Sequence, residues 1–391
     1  MIDIKDKRKC TGCGACIAAC PHKAIRFAPD RDGCRYPEVD KEICTGCGLC
    51  DRTCPMQDPR HGVPSRNEKY VISCYAGQHK DRSVLGQVSS GGAFWALACA
   101  VLDQSGVVYG AVQKDVDRIF HIRADEKKSA AEMRRSKYLQ SDAEETYARV
   151  RKDLRDGREV LFSGTPCQVA ALNCFLKKDY PNLYTVEVVC HGVPVPLAWK
   201  KYREETEQKK QKKMSGLVFR DKSRGWRRNQ YRIIYEDGSV EKEASVKHLF
   251  HQGYLMGLLY RPSCGTCPFA SLPRTADVTL ADFWKYKGDR FSGSRDAGVS
   301  LLLANNDQGE KLIRLSGKYL ITEGAEKKQA VSSCRHLTVH PSDSCWRNSF
   351  LEQLRRRGYH AAAKKYFFRA RLEYAAGMVF RKINKIYRQG S

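Results

Sequence analysis

The chain has 391 residues, room for two or three domains, and its 42% hydrophobic and 29% charged content is that of a globular protein with an ordinary core. No apolar run approaches a membrane span, and the start MIDIKDKRKC lacks the apolar stretch of a signal peptide, so a cytoplasmic protein is expected. Eighteen cysteines in such a compartment argue for metal or redox chemistry rather than disulfides. The net charge of +25 is uneven: the first 58 residues hold ten Lys/Arg and nine Asp/Glu, whereas from Trp346 onward twelve Lys/Arg face two Glu.

The chain opens with a repeat. Cys10-Thr-Gly-Cys13-Gly-Ala-Cys16-Ile-Ala-Ala-Cys20-Pro21 recurs as Cys44-Thr-Gly-Cys47-Gly-Leu-Cys50-Asp-Arg-Thr-Cys54-Pro55. This is the C-x2-C-x2-C-x3-C-P run of two-cluster ferredoxins, in which the fourth cysteine of each run serves the other cluster. Cys10, Cys13, Cys16 and Cys54 are therefore assigned to one 4Fe–4S cluster, and Cys20, Cys44, Cys47 and Cys50 to a second. Zinc sites pair their ligands differently. Glycines 12, 14, 46 and 48 let backbone N–H groups approach the sulfurs. Cys34, in a hairpin-like stretch between the runs, is not expected to be a ligand. Residues 1–58 form this domain, and the breaker-rich 59–69 reads as a linker.

From residue 70 strands and helices alternate. Strands are expected at 71–75, 107–112, 159–163 and 183–189, and helices at 93–102, 143–154 and 168–176, which argues for an α/β domain with a mixed, largely parallel sheet over 70–345. Later strands are expected near 277–282 and 298–304. Cys167 and Cys190 each follow a strand, and parallel neighbours would place both at the carboxyl edge, where α/β proteins bind ligands. Cys264-Gly-Thr-Cys267-Pro268 adds a close pair. By spacing, these four could hold a third 4Fe–4S cluster, could bind zinc, or could act separately, with Cys167 as a nucleophile and His191 as its base. Cys74, Cys99, Cys174, Cys334 and Cys345 stand singly and read as structural or free thiols.

The ordered set Ser89-Ser-Gly-Gly92, Ser136-Lys-Tyr-Leu-Gln-Ser141, Ser163-Gly-Thr-Pro-Cys-Gln168, Cys190-His-Gly192, Phe219-Arg-Asp-Lys222, Gly225-Trp226, Cys264-x2-Cys267 and Asp277-x4-Asp282-Phe-Trp284 resembles the coenzyme F420 hydrogenase/dehydrogenase beta-subunit family, in the bacterial branch with a fused dicluster ferredoxin. The resemblance spans nearly all of residues 1–340. It implies a third cluster on Cys167, Cys190, Cys264 and Cys267, with FAD close by. It also implies that the stretch ending at Asp282 helps build the cofactor site.

For FAD, Ser90, Gly91 and Gly92 open a helix whose N–H groups and dipole suit a pyrophosphate; a plain cap is the alternative. Gly164 and Thr165 offer a second backbone approach. No G-x-G-x-x-G follows a strand, so a nicotinamide site has no support. His191 and Lys137 are weak candidates for proton transfer, and Tyr138, His121, Arg220 and Trp226 could line a pocket. The basic helical tail 346–391 reads as helices packed on the domain, an anionic membrane contact, or a contact to an acidic partner; no nucleic-acid motif accompanies it.

The sequence thus reads as an iron–sulfur flavoprotein oxidoreductase. A redox carrier protein or reduced coenzyme would exchange electrons through the clusters with FAD, and with coenzyme F420 or a polysaccharide-biosynthesis intermediate. The alternatives are a flavin-free electron-transfer subunit, and a non-redox polysaccharide-biosynthesis protein with structural clusters.

Overall fold

The computed structural model describes residues 1–64, 67 and 73–387, the last eleven by the course of their helix alone. The expected start of the first main-domain strand, at 71 and 72, and the linker positions 65, 66, 68 and 69 lie outside the described residues. Fourteen strands are described: β1 Ile25–Pro29, β2 Arg35–Val39, β3 Ser73–His79, β4 Val107–Gln113, β5 Ile119–Ala124, β6 Ser141–Asp142, β7 Val160–Gly164, β8 Leu183–Val188, β9 Met214–Asp221, β10 Gln230–Tyr235, β11 Val240–Ala244, β12 Val278–Asp282, β13 Ser300–Ala304 and β14 Leu320–Gly324.

Nine of these form one sheet in the order β14-β3-β13-β12-β8-β7-β4-β5-β6. Its centre, β12-β8-β7-β4, is parallel, as is the short β5-β6 pair. The other four pairings are antiparallel. The sheet is mixed, as expected, but not largely parallel. Two departures from the expected pattern explain this. β4 returns directly into β5 across a short turn, too short for a crossover helix, and β13 turns back beside β12.

Side-chain alternation divides the core into two layers. Val108, Leu161, Tyr184 and Val186 face the apolar helix Ala93–Leu102 and the helix Asp307–Leu315. Val107, Val160, Phe162 and Leu183 face the helices Thr146–Arg155 and Pro166–Leu176. Ala15 of the first cysteine run is buried in that second layer, and its neighbours Cys13, Ala18 and Ala19 pack on it. A separate antiparallel sheet, β11-β10-β9, packs with the helix Pro196–Lys210 in a third core.

Of the readings open for the segment from 346, helices packed on the domain describe its first half. That half is part of the third core. Phe350, Leu354, Tyr359 and Ala362 are wholly buried there, and the burial continues to Ala370. Positive charge lies on the outer face, and the inner face carries aromatic and small residues that the β9–β11 sheet needs for cover. Among the described residues no helix is long and apolar enough to cross a membrane.

Candidate functional site

The two cysteine runs fold alike. Gly12, Gly14, Gly46 and Gly48 all take positive φ, which turns the loop inward before each short helix, Ala15–Ala19 and Leu49–Arg52. Cys10, Cys13, Cys16 and Cys54 line one cavity with Ile2, Ile4, Phe27 and Met56. Burial, then the neighbouring Cys10, Cys54 and Cys50, push the Cys16 thiol up. In the other set, Cys50 Sγ accepts from the Ile2 N–H and Cys20 Sγ from the Ala24 N–H, each at 3.3 Å. Cys20 and Cys50 share one apolar cluster, while Cys47 is exposed. Cys34 is buried among main-domain residues.

The main-domain cysteines meet at the edge the sequence pointed to. β7 and β8 are parallel neighbours, with Gly164 opposite Glu187. Cys167 sits in the first turn of the helix Pro166–Leu176, whose capping box joins Thr165 and Gln168. Thr165 Oγ1 lies 3.2 Å from Cys167 Sγ. Cys190 follows β8, Cys264 lies in the single turn Pro262–Thr266, and Cys267 closes it. Gly192 N–H donates to Cys190 Sγ at 3.3 Å and Val193 N–H to Cys264 Sγ at 3.4 Å. The thiols burden one another. Cys190 is pushed up to about 12 by burial and by Cys167 and Cys267, and Cys267 to about 11 by burial and Cys167.

These donor sets suit cubes better than single ions. Among the described residues no three His, Cys, Asp or Glu groups converge on one point as a lone metal ion requires. A four-iron cube spreads its thiolates around its own volume, and an all-thiolate set with N–H donors is the environment such cubes take. Two buried polar atoms without ordinary partners agree. Arg274 Nη2 is one, and its guanidinium draws down both Cys190 and Cys267. The Thr11 hydroxyl is the other, and it draws down Cys167.

The first ferredoxin set and this edge are neighbours. Cys167 adds to the cost of ionising Cys13, and Tyr147 OH donates to the Cys13 carbonyl at 2.9 Å. Gln140 Nε2 donates to the Thr11 and Gly12 carbonyls at 3.0 and 3.1 Å. Arg261, 1% exposed, donates to the Cys10 carbonyl at 3.0 Å. The sequence reading missed Arg261, Arg274 and Tyr147. Only the position of Arg261, three residues before Cys264, could have drawn attention to it.

The expected flavin cradle is filled by protein. A Cβ on Gly91 would lie 2.3 Å from the Gly77 carbonyl and 2.6 Å from the Ser300 N; one on Gly92 would meet His79 at 2.9 Å. Gly92, not Ser90, caps the helix, and the Ser90 hydroxyl donates to the Val299 carbonyl at 3.1 Å. Thr165 serves the cap beside Cys167. Asp282 is paired to Arg220 at 2.6 Å and accepts from Trp226 Nε1 at 2.8 Å, and the Trp226 ring stacks on Trp284 at 4.3 Å. These residues therefore do not fit the pyrophosphate site expected of them, and no step is drawn through a flavin. Lys137 spends its ammonium on the carbonyls of Glu132, Met133 and Arg134, and burial lowers it to about 7. His191 is held neutral by burial, at about 3, with Nδ1 2.9 Å from Tyr260 OH. An imidazole so depressed carries no proton to donate near neutral pH, though it keeps a lone pair that could accept one.

The paired cysteine runs define an iron–sulfur protein with a redox electron-transfer role. Residues 157–328 match the model of the C terminus of the coenzyme F420 hydrogenase/dehydrogenase beta subunit, and residues 9–57 match that of the 4Fe-4S dicluster domain. The chain thus carries a region similar to the C-terminal domain of such a beta subunit behind one similar to a 4Fe–4S dicluster domain. Among solved structures, a chain of the xenon-derivatised F420-reducing NiFe hydrogenase complex from Methanosarcina barkeri is similar over 77% of this chain and 93% of that one, at 17% identity and a TM-score of 0.41. No curated protein matches.

Proposed function

We propose that this chain is an iron–sulfur oxidoreductase subunit with three 4Fe–4S clusters. Cys20, Cys44, Cys47 and Cys50 would hold the outermost, Cys10, Cys13, Cys16 and Cys54 the middle one, and Cys167, Cys190, Cys264 and Cys267 the innermost. Bound clusters supply one-electron transfer. The chain's own part is placement. The neighbouring Cys13 and Cys167 carry this reading, because they bring a ferredoxin site against the main-domain site. Tyr147, Gln140 and Arg261 hold the two regions together, and burial keeps water from the junction. An exposed Cys47 leaves the outer set accessible to a redox carrier protein or reduced coenzyme.

FAD, with coenzyme F420 or a polysaccharide-biosynthesis intermediate beyond it, belongs to this proposal through the family match alone. The filled space at Gly91 and Gly92 favours a second reading, a flavin-free electron-transfer subunit. Anaerobic purification separates the two: flavin absorbance that denaturation releases supports the first. Iron content tests both. About twelve irons per chain are expected after reconstitution, falling to about eight in Cys167→Ala. Eight in both proteins would remove the innermost cluster.

We also propose that the outer part of the last helix is a contact for an anionic membrane. Phe368, Leu372 and Tyr374 are exposed there among Lys and Arg residues.

A further inference from the structure

Arg261 is a buried cation with no anion. Its guanidinium donates to three neutral oxygens: the Cys10 carbonyl at 3.0 Å, the Arg35 carbonyl at 2.8 Å and Gln140 Oε1 at 3.2 Å. It lies over the Tyr36 ring at 4.7 Å. Among the described residues no carboxylate pairs with it, although the chain's other wholly buried arginine, Arg274, is paired with Glu187. Enclosing an unpaired charge is costly, and such charges are kept where an anion joins them. One further donor contact points to that anion: Nη2 reaches Cys10 Sγ at 3.8 Å.

We propose that Arg261 is the built-in counter-charge of the cluster on Cys10, Cys13, Cys16 and Cys54, and that it makes this site the stronger electron acceptor of the two ferredoxin sites. Reduction adds one negative charge to a cluster. A fixed cation in a water-poor junction favours the reduced form, and its effect falls with distance. Among the described residues no buried arginine or lysine bonds to the set on Cys20, Cys44, Cys47 and Cys50: the Met1 ammonium, which bears on Cys50 and Cys44, is at the surface and paired with Asp51, and the surface Arg52 donates to the Cys47 carbonyl at 3.1 Å. The two repeats therefore bind clusters of the same kind at different potentials, and an electron entering at the outer site runs downhill toward the main domain. Arg261 is a positioning residue in this role. It also ties the two regions, because its own loop carries Cys264 and Cys267.

The inference rests on the cluster assignment above, and its test separates the two. The full chain, reconstituted anaerobically, is titrated with reductant and followed by electron paramagnetic resonance. Three proteins are compared with the parent: Arg261→Gln, Arg261→Lys, and Gln140→Glu, which sets a carboxylate against the guanidinium with little change of shape. In Arg261→Gln and Gln140→Glu, one ferredoxin step is expected to fall by at least tenfold in its reduction constant, 59 mV for a one-electron couple, while the other stays in place. Arg261→Lys keeps the charge and holds the step within that range. Both steps unmoved, or both moved equally, overturns the role. If Arg261→Gln does not load iron, Gln140→Glu decides by the same criterion. A parent chain that takes up no iron overturns the cluster assignment, and this inference with it.

Discussion

Gly91 has no room for a methyl group: β3 and β13 close on it from both sides, through Gly77 and Ser300. Gly91→Ala is therefore expected to destabilise the protein by about 1–3 kcal/mol, the usual cost of overpacking, whether or not flavin is present. Thermal unfolding of flavin-free protein checks this. A variant with unchanged Tm that loses only flavin would restore the phosphate cradle. The sequence showed a glycine pair before a helix and could not show what fills the space beside it. Asp277 teaches the same point. Its carboxylate accepts from the Thr185 N–H and hydroxyl, both at 2.7 Å, and is wholly buried between strands. The ferredoxin cysteines were legible because a few consecutive residues carry their geometry. Arg261 was not, since its partners lie more than 100 residues away in the chain.

At the scale of elements, the strands and helices with a clean period were legible. The helix over 93–102 and the strands near 107–112, 159–163 and 183–189 stand within a residue or so of their expected places. The β9–β11 sheet was missed. Its strands carry charges on an outward face, Arg232 and Lys242 among them, and such a pattern reads as loop until a partner covers the other side. The last helix was read by charge, and its inner face decided its role. A chain ended near Ser344 would strip the third core of Phe350, Leu354 and Tyr359, and is expected not to fold. A chain ended at Ala376 keeps that core and the anchor at Glu373, which accepts from the Cys345 N–H at 3.0 Å. It is expected to unfold at the same temperature as the full chain. It removes four Lys/Arg and no acid. Each such charge near an anionic bilayer contributes roughly 1 kcal/mol, so the full chain should sediment with anionic vesicles at low salt and release at high salt, and the shorter chain, which keeps Phe368, Leu372 and Tyr374 but not these four charges, should bind more weakly. Equal sedimentation of both chains would remove the membrane contact.

At the scale of the whole molecule, buried imidazoles set the response to acid. His121 bridges two elements: Nε2 lies 2.9 Å from the Ser163 carbonyl and Nδ1 3.2 Å from Ser141 Oγ. Burial lowers it to about 4, and burial likewise lowers His248 to about 3 and His251 to about 4. The ordinary value is about 6.5, so below it the unfolded chain takes up protons that the fold refuses. Stability from these groups is complete above pH 6.5 and is lost as pH falls through about 4. The loss for His121 alone is on the order of 3 kcal/mol. Chemical unfolding of the anaerobic protein across that window should show a declining free energy, and His121→Asn should flatten the decline. An unchanged slope would mean that His121 is protonated in the fold.

The two cysteine runs began as the same words. Thr11 and Thr45 hold the same place in them, yet Thr11 is sealed against Cys167 while Thr45 is open to solvent. A methyl group at Gly12 would strike Gln140 and Arg261, and one at Gly46 would meet nothing within 4 Å. One copy is committed to the rest of the chain, and every change in it must be answered by a change across the junction. The other packs within its own domain, where Cys50 meets Ile2 and Cys16, and its loop is open to whatever comes from outside. The freedom to acquire new partners is therefore lodged in one half of the duplication, and Thr45 is where sequence drift can accumulate without disturbing the half that is fixed.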